Sequence, residues 1–92
     1  MLGMEELIIG NNVRSIGESA FLHCKDLKSV VIPESVVSIG ISAFQNCSAL
    51  TSVNIPESIV ELPDYMFAYC KSLAEISLHN KLTTIGEAAF LE

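Results

Sequence analysis

Apolar positions recur along this chain in register, 23 residues apart. Met4, Leu27, Leu50 and Leu73 share one column, Leu7, Val30, Val53 and Ile76 the next, and Ile9, Ile32, Ile55 and Leu78 a third. Val13, Val36, Ile59 and Leu82 follow, then Ile16, Ile39, Leu62 and Ile85, then Phe21, Phe44, Phe67 and Phe90, and finally Cys24, Cys47 and Cys70. A period of this size signals stacked units, because one unit cannot bury its apolar side alone and its neighbours supply the missing cover. Full units run over residues 16–38, 39–61 and 62–84, a partial one occupies 1–15, and another opens over 85–92. The whole chain, 1–92, then forms a single solenoid domain of about four coils.

Within a unit the pattern changes period. In Leu27-x-x-Val30-x-Ile32 the alternation of apolar positions points Val30 and Ile32 inward and Val31 outward, and the β-branched content favours a strand. Pro33 and Pro56 stop that strand, since proline donates no ladder hydrogen bond. A second, shorter extended stretch is expected near Val36–Ile39 and Ile59–Leu62, with Gly17, Gly40 and Gly86 turning the chain and Pro63 standing in once. The segment ESAFLHC predicts one or two helical turns that drive Ala20 and Phe21 into the core, too short to stand as a helix without tertiary help.

Composition narrows the function classes. Half of the 92 residues are apolar and 17% are charged, a large apolar share for a domain of this size. No run of about 20 apolar residues predicts a membrane-spanning helix. The opening MLGMEELIIG has no basic stretch followed by an apolar one, so no signal peptide is expected in it. Eleven acids face five bases (Arg14, Lys25, Lys28, Lys71 and Lys81), for a net charge of −6. Such a surface repels phosphate backbones and anionic lipid headgroups, which argues against nucleic-acid partners and membrane insertion.

The stretches LKSVVIPESVVSIGISAFQNC and LTSVNIPESIVELPDYMFAYC resemble the BspA-like class of leucine-rich repeats, and the resemblance covers the whole chain. It implies a right-handed solenoid, mainly β with short helical turns. It also implies a bacterial or protist surface or secreted protein that adheres to other proteins, host extracellular proteins among them, with many more repeats than are present here. The third unit departs from the phrase: His79 stands where proline is expected, and LPDYMF replaces the IG-x-x-AF pattern.

Candidate chemistry is sparse. The three cysteines have no zinc-like local spacing. Stacked coils would bring them into a ladder about 4.8 Å apart. Parallel side chains at that distance seldom reach disulfide geometry, so buried structural thiols are favoured over a bridge or a metal. His23 beside Cys24 suggests a nucleophile pair, but neighbours on a turn diverge and no third group orients them, so His23 reads as surface, as does His79. Glu34 and Glu57 stack in one column flanked by Asn11 and Asn80, which reads as a solvated turn. No catalytic, cofactor-binding or metal site is predicted, and no enzyme.

The outward column of the main strands is the expected recognition surface: Val31, Asn54 and Ser77, with Ile8 before them, flanked by Glu6, Ser29, Ser52 and Glu75. It lacks the Trp, Tyr and Arg that anchor tight interfaces; Tyr65 and Tyr69 are further contact candidates. The two ends lack the polar capping units that close a solenoid. Met1, Leu2, Met4, Leu7 and Ile9 at one end, and Ile85, Phe90 and Leu91 at the other, are expected to lie bare. Each such side chain gains about 1.5–3 kcal/mol on burial. Two expectations follow: a protein-binding module displaying its strand face, or a repeat scaffold that forms homo-oligomers through its ends.

Overall fold

The computed structural model describes residues 5–91, with Glu75 described by its backbone alone. Eight short strands follow one another: β1 (Glu6–Ile8), β2 (Ser15–Ile16), β3 (Ser29–Val31), β4 (Ser38–Ile39), β5 (Ser52–Asn54), β6 (Glu61–Leu62), β7 (Glu75–Ser77) and β8 (Thr84–Ile85). The longer strands form one parallel sheet, ordered β1-β3-β5-β7. Every pairing joins residues 23 apart, as in Glu6↔Ser29, Val30↔Val53 and Val53↔Ile76, so one repeat makes one coil. This is the solenoid that the periodicity predicts.

The interior is the set of apolar columns. Leu27, Leu50, Ile32, Val36, Ile59 and Leu62 are fully enclosed, together with Phe44 and Phe67. The phenylalanines stack ring on ring, with centroids 5.3, 5.9 and 5.6 Å apart from Phe21 through Phe90 and interplanar angles of 13–18°. A stacked pair of this kind adds about 0.5–1.5 kcal/mol beyond its area burial.

Two expectations are corrected. The ESAFLHC segment is a run of turns with no helix. The amides of Ala20, Leu22 and Cys24 close back onto Gly17, Ser19 and Phe21, while those of Ser19, Phe21 and His23 cross to the carbonyls of Ile41, Ala43 and Gln45 in the next coil at 2.8–2.9 Å. Left-handed residues make this alternation possible: φ is 56° at Ser19 and 62° at His23, and their equivalents Ser42, Asn46, Tyr65, Tyr69 and Ala88 share it. A single left-handed residue ends a helix, so two per coil exclude one. Ala20 is also exposed, whereas its equivalents Ala43 and Ala89 are buried, because among the described residues no earlier turn run covers it.

The glycines open these turns as expected, their carbonyls accepting from the amides of Ala20, Ala43 and Ala89 at 3.2–3.3 Å, and Gly40 and Gly86 also serve close packing. A Cβ on Gly40 would lie 2.4 Å from the Glu18 backbone nitrogen, and one on Gly86 would lie 2.5 Å from that of Asp64. Gly17 has open space around it.

Candidate functional site

Three surfaces carry the residues that sequence reasoning singled out. The first is the outward column of the long-strand sheet. Ile8 is 71% exposed and Val31 52%; Asn54 and Ser77 are exposed, Ser52 is exposed and Ser29 half-buried. Glu75 pairs with Ser52 across the ladder. A shallow dish of about 400 Å³ lies over Ser29, Val31, Ser52 and Asn54. The strands therefore bring the column together as expected.

Asn54 has a structural task that sequence reasoning missed. Its side-chain amide donates to the Ile32 carbonyl and accepts from the Ile32 N–H, both at 2.8 Å. A carboxamide carries the same donor and acceptor as a peptide group. It takes over where the β3–β5 ladder ends at Val30↔Val53, one pair short of its neighbours. The only available signal was a lone asparagine in a column of Ile, Val and Ser.

Two of the thiols and one of the histidines are occupied. All three cysteines are free and buried. The Cys47 Sγ donates to the Phe21 carbonyl at 3.2 Å, and the Cys70 Sγ donates to that of Phe44 at 3.0 Å. Contact with the Cys70 thiol, then burial, pushes the Cys47 thiol well above the ordinary thiol range, and the same contact lowers that of Cys70. His23 lies exposed on its turn.

His79 repairs the irregular third unit. Ser58 Oγ donates to the Val36 carbonyl at 2.7 Å. One coil on, Lys81 replaces that serine, and His79 Nε2 reaches the equivalent Ile59 carbonyl at 2.9 Å. Its Nδ1 accepts from the Lys81 N–H at 3.1 Å, which makes Nε2 the donor. The Glu57 carboxylate pairs with Lys81 Nζ at 3.1 Å on the surface. Among the described residues no cluster of three His, Cys, Asp or Glu side chains could hold a metal.

The second surface is the short-strand side, where the ladder breaks. β2 pairs with β4 and β6 with β8, yet no ladder joins β4 to β6. Gly40 donates to the Ile16 carbonyl and Gly86 to that of Leu62, each at 2.8 Å. Pro63 occupies the same column and has no N–H to give to Ile39. Val37 donates to Arg14 and Thr83 to Val60, both at 2.8 Å; among the described residues the equivalent bond from Val60 to Val37 is absent. At the break lies a cleft of about 340 Å³, lined by Val37, Ile39 and Ile41 of one coil, Val60, Glu61, Pro63 and Asp64 of the next, and Thr84 and Gly86 of the last.

The third surface is the pair of ends. Leu7 and Ile9 are half-buried against the core, where the sequence suggested bare side chains. At the other end Ile85 is 50% exposed, Leu91 is exposed, and Phe90 keeps part of its ring open beyond its stack on Phe67. Met1, Leu2 and Met4 lie outside the described residues. Tyr69 is exposed and Tyr65 half-buried, both in left-handed turn positions.

Parallel coils of one repeat length, an inward aliphatic and phenylalanine ladder and asparagine- or serine-bridged coil edges define a leucine-rich-repeat solenoid. The profile of the BspA type leucine rich repeat region matches residues 2–92 in six copies, and the chain belongs to that family; counted by long strands, the described part has four coils. A leucine rich cell surface protein from Faecalibacterium prausnitzii is 42% identical with a TM-score of 0.92, over 95% of this chain and 23% of its own. A leucine-rich repeat protein from Bacteroides ovatus is 34% identical with a TM-score of 0.91, over 99% and 26%. The leucine rich repeat protein of T. pallidum is 34% identical with a TM-score of 0.84, over 89% and 38%. The chain thus spans between about a quarter and two fifths of these relatives. No curated protein sequence matches it.

Proposed function

We propose that the chain is a non-catalytic protein-binding module of a bacterial cell-surface leucine-rich-repeat protein, contacting an extracellular protein through the long-strand sheet. The observation that carries this reading is the exposed pair Ile8 and Val31, held on a rigid parallel ladder and flanked by short polar side chains. Apolar groups held out to water on a fixed surface gain by being covered. The description of the Faecalibacterium relative as a cell surface protein supports the location. The occupied thiols and the doubly engaged His79 support the absence of catalysis.

The test is capture of purified host extracellular-matrix proteins on the immobilised chain, compared with the Val31→Glu variant. Binding that is lost in that variant, at unchanged gel-filtration volume, is the expected result. No capture by the parent chain, or equal capture by both, rejects the reading.

A second reading, self-association through the end that carries Ile85, Phe90 and Leu91, is favoured by their exposure. Light scattering at micromolar concentration should then exceed the 10.0 kDa of one chain, and Ile85→Glu should restore that mass. A clean monomer from the parent chain excludes it.

A further inference from the structure

We propose that the cleft between β4 and β6 is a docking site for an extended peptide segment that places a basic side chain beside an apolar one. This site is separate from the long-strand sheet, and neither reading depends on the other.

The chemistry of the cleft selects that occupant. Repeat symmetry aims the carbonyls of Val37 and Ile39 toward the next coil, as it does those of Arg14, Ile16, Val60 and Leu62, which accept hydrogen bonds there. Among the described residues no such bond reaches the Val37 or Ile39 carbonyl, because Pro63 has no N–H and Val60 does not reach Val37. The mouth adds the carboxylates of Glu61 and Asp64, and no lysine or arginine lines the cleft. Backbone and carboxylate together therefore offer hydrogen-bond acceptors.

An ammonium, a guanidinium or a peptide N–H supplies donors, and the first two carry the charge that complements the acids. Between the acceptors the walls are apolar: Val37, Ile41 and Val60 are each about half exposed. A volume of about 340 Å³ lies at the lower end of the range for ligand pockets, roughly 300–1,000 Å³, and suits one or two side chains better than a folded surface. A donor entering from solvent can satisfy these carbonyls between the Ser58 Oγ–Val36 and Ser42 N–H–Asp64 hydrogen bonds, which keep the two coils in contact on either side. A bare calcium ion fits less well: it takes six to eight oxygens, and Asp64 Oδ1 already accepts from the Glu87 N–H at 2.7 Å.

The proposal is tested by titrating the ¹⁵N-labelled chain with the peptide Lys-Leu-Lys-Leu-Lys and following its amide resonances. Shifts confined to residues 37–41, 60–64 and 84–86 are expected, with Ser29–Val31 and Ser52–Asn54 unmoved. The peptides Glu-Leu-Glu-Leu-Glu and Lys-Ser-Lys-Ser-Lys should bind at least about tenfold more weakly, the first for want of charge and the second for want of apolar cover.

Val60→Lys and Glu61→Lys, both at exposed positions that leave the core intact, should each weaken binding about tenfold without disturbing the rest of the spectrum. Shifts centred on the long-strand sheet would overturn the proposal. So would an equal response to the acidic peptide, saturation of the same amides by calcium alone, unchanged affinity in both variants, or no shift at about 1 mM peptide.

Discussion

The long-strand side and the short-strand side grow from the same repeat, yet one ladder runs through every coil and the other splits in the middle. Each meets an irregular residue near its centre. On the long side Asn54 breaks the run of Ile and Val, and its carboxamide stands in for a peptide group at the place where the ladder gives out. On the short side Pro63 breaks the run of glycine and offers neither the N–H nor the slim profile that the position demands. A parallel ladder thus tolerates a substitution that restores donor and acceptor, and parts at one that removes a donor and adds bulk.

The sharpest way to break this contrast is Gly40→Ala. Its Cβ would press on the backbone of Glu18 and Gly17, where no side chain can rotate away, so a loss of about 3 kcal/mol is expected in urea denaturation. Gly17→Ala, in the same column with open space around it, should change stability by less than about 1 kcal/mol and serves as its control. Equal losses at the two positions would mean that coil-to-coil contact is not what selects glycine there.

Next in size is Asn54→Ala, which strands the N–H and the carbonyl of Ile32. The cost should be about 1–2 kcal/mol, with faster hydrogen exchange at the Ile32 amide. Asn54→Asp keeps an acceptor for that N–H but sets a carboxylate against the carbonyl, so it should not rescue the loss. A loss of partner binding in an Asn54 variant therefore counts as evidence about the surface only if stability is measured beside it.

A smaller effect on stability, with a clear local signature, is expected at the split. The Val60 amide should exchange about tenfold faster than those of Val37 and Thr83, which are bonded to the preceding coil. Pro63→Gly restores a donor but frees the unfolded chain, so net stability should move by less than about 1 kcal/mol. Exchange at Val60 should nevertheless slow toward that of its neighbours. If Val60 is already as protected as Val37 in the parent chain, the ladder is closed in solution and the cleft with it.

Smallest of all is Ala88→Gly on the turn side, where φ is 55°. Relieving the left-handed alanine should add about 0.5–1 kcal/mol. No gain would mean that the turn run tolerates Cβ without strain.

Much of this molecule was legible in the one-dimensional pattern. The columns Leu27–Leu50, Val30–Val53 and Phe21–Phe44–Phe67 predicted the stacking, the strand positions and the enclosed thiols, because a side chain repeated at coil spacing meets its own copy. The outward placement of Val31, Asn54 and Ser77 followed from alternation alone. Less was legible in the turns. ESAFLHC has helix-compatible residues, and serine, histidine, tyrosine and alanine in left-handed conformation leave no compositional mark as glycine would. Nor did the pattern show that His79 takes over from serine at the Ile59 carbonyl, since the two residues occupy different columns.

The sequence by itself determined the period, the inward face, the family and the acidity of the surface, because each depends only on which residues recur and at what interval. Tertiary structure alone decided which carbonyls would go without a partner, which side chain would replace a ladder bond, and where two coils would part. Those outcomes turn on one donor or one Cβ meeting the backbone of a neighbouring coil, and a contact between coils has no counterpart in the order of residues along either one.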